Sequence, residues 1–180
     1  MAPRNRITTG AGDDGTTGVP GAAVRPFKND SLIEAVGELD ELTAVLGLAR
    51  AEAYGRLERR LWRIQNLTGA VATLVALCLR EPVRADSTPD VSELEREMET
   101  LLSQVRTPEG FVVPGANTLE AQLHHARTVC RRAERRMVTA AAEYTGAGLE
   151  RLFPILNRLS DYLFALALSA DPEAGRTDTA

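Results

Sequence analysis

Leucines and other apolar side chains recur at intervals of three and four residues along most of the chain, and this spacing constrains the fold more than any other feature. Leu32, Val36, Leu39, Leu42 and Leu46 share one face of a helix that starts near Ser31, with Asp30 or Ser31 as cap and Glu34 in its first turn, and ends near Ala53. Leu57, Leu61, Ile64, Leu67 and Val71 mark the buried side of a second helix, from about Gly55 to Leu79, which stops before Pro82. On it Trp62 reads as a packing residue and Gln65 as a surface residue. Arg80 to Pro89 reads as a loop, and Asp90 to Val105 as a third, peripheral helix that is charged outside and capped by Asp90 or Ser92. A fourth opens at Asn117 or Thr118, after the Pro114-Gly115 turn. A fifth covers Gly148 to Ser169, with Leu152, Leu156, Leu159, Leu163 and Leu166 on its apolar face and Pro154 either in the first turn or at a kink. No strand-like alternation interrupts the pattern and no segment repeats. The spacing predicts an all-α bundle of five helices, with 1–30 as a loop segment, 31–170 as the bundle and 171–180 as a polar tail that frays.

A length of 180 residues suits one domain with a proper core, and an aromatic content of only 4% leaves Leu, Ala and Val to fill it. The net charge of −4 argues against general nucleic-acid binding. Cys78 and Cys130 lie far apart in helical patterns, which suits neither a disulfide framework nor a zinc set and points to a reducing, cytoplasmic setting. The opening residues lack the apolar core of a signal peptide, and Leu67 to Leu79 is too short to span a bilayer.

The fourth helix concentrates cations: Arg127, Arg131, Arg132, Arg135 and Arg136, against the acids Glu120 and Glu134. At about 100° per residue, Arg127, Arg131 and Arg135 form one stripe with Glu134 beside it, while Arg132 and Arg136 project elsewhere. Like charges at this spacing repel by a few tenths of a kcal/mol per pair, so the stripe calls for an anion. Arg recognises phosphate and carboxylate bidentately, which makes a polyphosphate or a partner's acids the candidates; a solvated face paired with neighbouring helices is the plainer reading.

Other residues stand out singly. Gly10, Gly12, Gly15, Gly18 and Gly21, interleaved with Asp13, Asp14, Thr16 and Thr17, describe either a phosphate-cradling loop with Lys28 at its end or an unstructured terminus. Glu34, Glu38 and Glu41 cluster on the solvent face of the first helix, whereas Asp40 falls at the edge of the apolar stripe, where a carboxylate either seeks a cation or meets water. Phe111 sits on a loop beside the basic face, as a loop anchor or a ligand contact. Asn157 and Asp161 share a second face of the last helix with Phe153, Ser160 and Phe164. His124 and His125 point in different directions and do not form a helical metal pair, so no metal ligand is assigned.

Four blocks stand in order between Ile7 and Phe164: TTGAGDDGTTG with FKND after it, EAVGELDEL, FVVPGANTLEAQLHHARTVCRRAER and LNRLSDYLF. This set resembles the PduO-type ATP:cob(I)alamin adenosyltransferases. The resemblance implies a five-helix bundle forming a homotrimer, with active sites in clefts between subunits. It implies ATP with Mg²⁺ and a reduced corrinoid (cobalamin) as substrates, and a reductase or corrinoid-dependent acceptor enzyme as a further partner. By the same resemblance Thr9, Gly12, Asp13, Thr16, Thr17 and Lys28 wrap ATP, together with Arg131, Glu134, Arg135, Asn157 and, one turn on, Asp161. Asp40 pairs with Arg127 across the subunit boundary, and Phe111 occupies the lower axial side of the corrin. The chemistry implied is attack of Co(I) on C5′ of ATP with departure of triphosphate, in which positioning and charge stabilisation suffice and no general base is needed.

The chain departs from the family pattern at four places. Gly10 stands where Lys or Arg is usual, Ala116 replaces a second Gly after Pro-Gly, Thr43-Ala44 replaces Asn-Ser, and Leu67 to Leu77 carries no acid. These changes imply a weaker phosphate grip and an altered surface, and motivate an alternative: a noncatalytic corrinoid- or nucleotide-binding relative acting as carrier or sensor.

Overall fold

The computed structural model describes residues 10–105, 108 and 110–170. Thr9, from the candidate nucleotide set, and the tail 171–180 lie outside the described residues. Among the described residues five α-helices form: α1 (Ser31–Glu52), α2 (Gly55–Leu77), α3 (Ser92–Leu102), α4 (Thr118–Glu143) and α5 (Phe153–Ala170), with 3-10 turns at Ala85–Ser87 and Leu149–Leu152. α1 packs against α2 and α4, and α5 packs against α4 and α3.

The helix starts follow from local chemistry. Asp30 caps α1 by accepting the Leu32 N–H at 2.9 Å, and Asn117 caps α4 by accepting the Glu120 N–H at 2.9 Å. Pro154 lies in the first turn of α5, where its missing N–H costs nothing, so the kink is not needed. α3 is shorter than its pattern suggested. Asp90 still serves its start, accepting the Ser92 N–H at 2.9 Å, but the helix stops at Leu102 and the chain turns from Ser103.

Leu32, Leu39, Leu42 and Leu46 of α1 meet Leu61 and Ile64 of α2, Leu123 and Met137 of α4, and Leu156, Leu159 and Leu163 of α5 in one buried core. Each fully buried Leu contributes about 1.5–3 kcal/mol, against about 0–1 kcal/mol for an exposed ion pair. The core therefore sets stability, and the charges act mainly on which faces meet. Val36, Leu57 and Leu67, placed on buried faces by spacing, are only partly buried. Trp62 is a correction: it is 57% exposed on the outer side of α2 rather than packed. Gln65 is not simply a surface residue either, since it accepts from Arg50 Nη1 at 2.7 Å and donates to the Thr43 carbonyl at 3.0 Å, stitching α2 to α1.

The acids of α1 require a second correction. Glu34, Glu38 and Glu41 face α4 rather than open solvent: Arg132 Nε lies 2.5 Å from Glu38 and its Nη2 contacts Glu41, while Arg136 lies 3.5 Å from Glu34. Toward one end of these antiparallel helices, Tyr144 donates to Asp30 at 2.7 Å and Ser31 to Glu143 at 2.6 Å. Burial, then the hydrogen bond to Asp30, pushes the Tyr144 hydroxyl up to about 12, so it remains a donor at neutral pH. Among the described residues no helix is long and apolar enough to cross a membrane.

Candidate active site

α4 sorts its arginines by face. Arg132 and Arg136 are neutralised by α1, whereas Arg131 and Arg135 are exposed and form no ion pair with any described residue. Arg135 donates from Nη1 to the Arg131 carbonyl at 3.1 Å. Arg127 packs its guanidinium over the Phe164 ring, 5.6 Å from the centroid, and its buried Nε has no hydrogen-bond partner.

The packing of α4 on α5 gathers much of the candidate set. The Cys130 thiol donates to the Leu156 carbonyl at 3.4 Å, fixing the antiparallel register of the two helices. Burial pushes this thiol up to about 12, with further influence from Glu134, Arg131 and Asp161, so those three charges surround it at electrostatic range. Asn157 and Asp161 are exposed on α5, and Asp161 lies 3.4 Å from Arg158. Arg131, Glu134 and Asp161 thus lie on α4 and α5 around the buried Cys130, with Asn157 one turn from Asp161.

The amino-terminal loop is ordered by its own contacts. Thr17 N–H donates to Pro26 and Lys28 N–H to Gly15, each at 2.9 Å, and Thr16 forms an isolated bridge with Phe27. Lys28 Nζ reaches back to the Gly12 carbonyl at 2.9 Å, and a Cβ at Gly12 would stand 3.2 Å from that ammonium, so the close approach favours glycine. The cradle of successive free N–H groups is not what forms. Asp13, Gly15, Thr16 and Thr17 all donate within the loop, and Thr16 Oγ1 is held by Asp14 at 2.7 Å and Arg25 at 3.0 Å. Asp13 and Lys28 remain exposed.

Three placements separate the pieces. The loop joins α1 at Asp30, beside Tyr144 at the carboxyl end of α4. Phe111, fully exposed, precedes the amino end of α4, whose Asn117 donates to the Ala170 carbonyl at 2.8 Å. Asp40 is exposed on α1 and does not contact Arg127 within the protomer. Within one chain, then, the structure brings together the α4 and α5 residues but not Lys28, Asp40 or Phe111.

Three contributors escaped the sequence reading. Arg25 ties the loop together by donating from Nη2 to the Ala11 carbonyl at 2.8 Å, and its one signal was a lone cation in a Gly/Ala/Pro stretch. Phe164 was visible as an aromatic on the second face of α5, but not as the platform for Arg127. Glu120 and His124, spaced i, i+4, form a buried pair with Nε2 to Oε1 at 2.9 Å. Among the described residues no group of three or more His, Cys, Asp or Glu side chains is placed to hold a metal ion.

Residues 7–170, which contain all four sequence blocks and these α4 and α5 residues, match the family model described as cobalamin adenosyltransferase. The chain belongs to the cobalamin adenosyltransferase family. Among its relatives, the corrinoid adenosyltransferase PduO of Salmonella typhimurium is 36% identical over 172 residues, which cover 93% of this chain and 50% of the relative. The corrinoid adenosyltransferase of Bacillus subtilis is 34% identical over 179 residues, covering 96% and 90%. A variant of the PduO-type ATP:corrinoid adenosyltransferase from Lactobacillus reuteri, solved in complex with cobalamin and ATP, matches this cobalamin adenosyltransferase fold with a TM-score of 0.79 at 29% identity, over 92% of this chain and 93% of that one. The chain spans about half the length of the PduO relatives it matches. As a member of the cobalamin adenosyltransferase family it keeps the all-helical fold.

Proposed function

We propose that this chain transfers the 5′-deoxyadenosyl group of ATP to the Co(I) of a reduced corrinoid, giving adenosylcobalamin and triphosphate. The observation that carries the proposal is the division of α4: two arginines are neutralised by α1, while Arg131 and Arg135, beside Glu134 and Asn157, are left for an outside anion. A row of guanidinium groups suits a triphosphate.

In this reaction the cobalt lone pair forms the bond to C5′ as the C5′–O bond breaks, and the bonding pair leaves with triphosphate. Arg131, Arg135 and Lys28 stabilise the departing charge, and Asn157 and Asp161 orient the nucleotide. The loop contributes through Gly12, Asp13, Thr16 and Thr17, with Thr9 in the same role. Mg²⁺, where it accompanies the phosphates, would neutralise part of their charge, and the carboxylates of Asp13 and Glu134 would be the hard oxygen donors able to hold it. Phe111 fills the lower axial side of the corrin and excludes the cobalt's lower ligand, which eases reduction from Co(II).

We further propose that the site is completed by a second copy of the chain in a homotrimer. The loop and the Phe111 turn are attached at opposite ends of α4, a helix of 26 residues and therefore about 39 Å long. A site that uses both draws them from different chains. Exposed Asp40 of one copy and the half-buried Arg127 guanidinium of the next are then complementary in charge. Free, buried thiols and a Co(I) substrate suit the cytoplasm, and a reductase or corrinoid-dependent acceptor enzyme is the natural further partner.

Anaerobic incubation of the protein with chemically reduced cobalamin and MgATP tests the reaction. Decay of the Co(I) absorption to an alkylcobalamin spectrum is expected. Binding without conversion overturns the reading in favour of a carrier or sensor, which Gly10 and the internally engaged Thr16 hydroxyl would then explain. Sedimentation tests the trimer.

A further inference from the structure

We infer that Glu120 is a positioning residue that ties the turn bearing Phe111 to the arginine row. The inference rests on the role given above to Phe111. Glu120 is only 1% exposed, although it lies in the first turn of α4 near the surface. A buried carboxylate is costly unless its oxygens are compensated, and this one has two backbone hydrogen bonds on one oxygen and a close imidazole contact on the other. Oε2 accepts the Gly115 N–H at 2.8 Å and the Ala116 N–H at 3.2 Å, and Oε1 faces His124 Nε2 at 2.9 Å.

Ordinary helix capping does not account for this arrangement. In a capping box the third helical residue returns to the N–H of the cap itself, here Asn117. Glu120 reaches instead to the two preceding residues, on the Pro114-Gly115 turn that follows Phe111. From its other oxygen the contacts continue inward: the His124 ring meets Phe164 edge-on at 5.8 Å, and Arg127 lies over the face of that same ring at 5.6 Å. One connected run thus links the backbone four residues after Phe111 to the first arginine of the row. A run of contacts through one carboxylate holds the turn that bears the aromatic wedge and the start of the arginine row in a constant relation, as positioning of this kind requires.

The test uses the full chain and the variants Glu120→Ala, Glu120→Asp, Glu120→Gln and Phe111→Ala. Without ligands, amide hydrogen exchange at Gly115 and Ala116 should accelerate about tenfold in Glu120→Ala, the loss of roughly one net hydrogen bond. Glu120→Asp, one methylene too short for the turn, should do the same more weakly and serves if the alanine variant does not fold. Glu120→Gln keeps the acceptor and should restore slow exchange. With ATP and Co(II) corrinoid bound, electron paramagnetic resonance reads whether the lower nitrogen ligand is displaced. Phe111→Ala should retain that ligand, Glu120→Ala should retain it too, and the double variant should add nothing further. If Phe111→Ala alters the spectrum, and Glu120→Ala and Glu120→Asp accelerate exchange but leave the spectrum unchanged, the positioning role is overturned while the Phe111 reading stands. An unaltered spectrum in Phe111→Ala removes both.

Discussion

Arg132 sets its Nε 2.5 Å from the carboxylate of Glu38, across the α1 and α4 interface. Its Nη2 also contacts Glu41, and these hydrogen bonds raise the guanidinium's affinity for its proton. The arginine side chain is 39% exposed, so solvent screening keeps its worth near that of a surface network. Arg132→Ala should cost about 1 kcal/mol or less, a fall of roughly 2–4 °C in Tm, with adenosyl transfer by the folded protein nearly unchanged. Thermal melts beside Co(I) kinetics check this.

Its neighbour should behave in the opposite way. Arg131 is exposed and makes no side-chain ion pair, so Arg131→Ala should leave Tm unchanged. Turnover should fall by about 10²-fold, as when one preorganised charge-stabilising donor is removed. Near-normal single-turnover rates in that variant would remove the triphosphate role.

Phe111 is fully solvent-exposed in the single chain, and its loss should not unfold it. Phe111→Ala should slow transfer more when the assay starts from Co(II) with a reductant than when it starts from pre-reduced Co(I). Equal losses from the two starting states count against the axial role.

Gly148 has φ +75, and a Cβ there would meet the Val83 carbonyl oxygen at 2.2 Å. That strand of loop is anchored by the Val83 N–H on Ala147 at 2.9 Å, so neither backbone yields easily. Gly148→Ala should cost about 2 kcal/mol or more, from left-handed strain plus the clash, and lower Tm by roughly 4–8 °C. Circular dichroism melting is sufficient to see it.

Glu97 ties α3 to the bundle, accepting from Arg63 at 2.6 Å and from the Tyr162 hydroxyl. Partial burial raises its pKa, but the Tyr162 hydrogen bond and Arg63 outweigh that and the net shift is downward. A carboxylate with a lowered folded pKa contributes stability that is present above the unfolded value and lost as pH falls through the folded one. The Tm gap between the native chain and Glu97→Gln should therefore be full at pH 7 and close as pH drops below about 4. A gap that persists at pH 3 assigns the effect to packing.

The bundle was legible because leucine spacing reports a rotation per residue that burial cannot disguise: α1 and α2 end within two residues of the expected Ala53 and Leu79. The arginine stripe was legible for the same reason. A helical wheel carries no information about the neighbouring helix, however, so Glu34, Glu38 and Glu41 looked solvated when Arg132 and Arg136 lay opposite. The loop failed differently. Its glycines suggested free N–H groups, and nothing in residue order showed that carbonyls of Gly10, Gly12 and Pro26 would take them. The Glu120 bridge was hidden because an acid near a helix start already has an ordinary explanation.

Both native cysteines are buried and free, and Cys130 holds its proton up to about pH 12. Both thiols should therefore react slowly with maleimide reagents. One engineered surface cysteine on α1 near Asp40 would carry a spin label as the fast-reacting thiol, and the label-to-label distances would read the geometry of any assembly directly in solution.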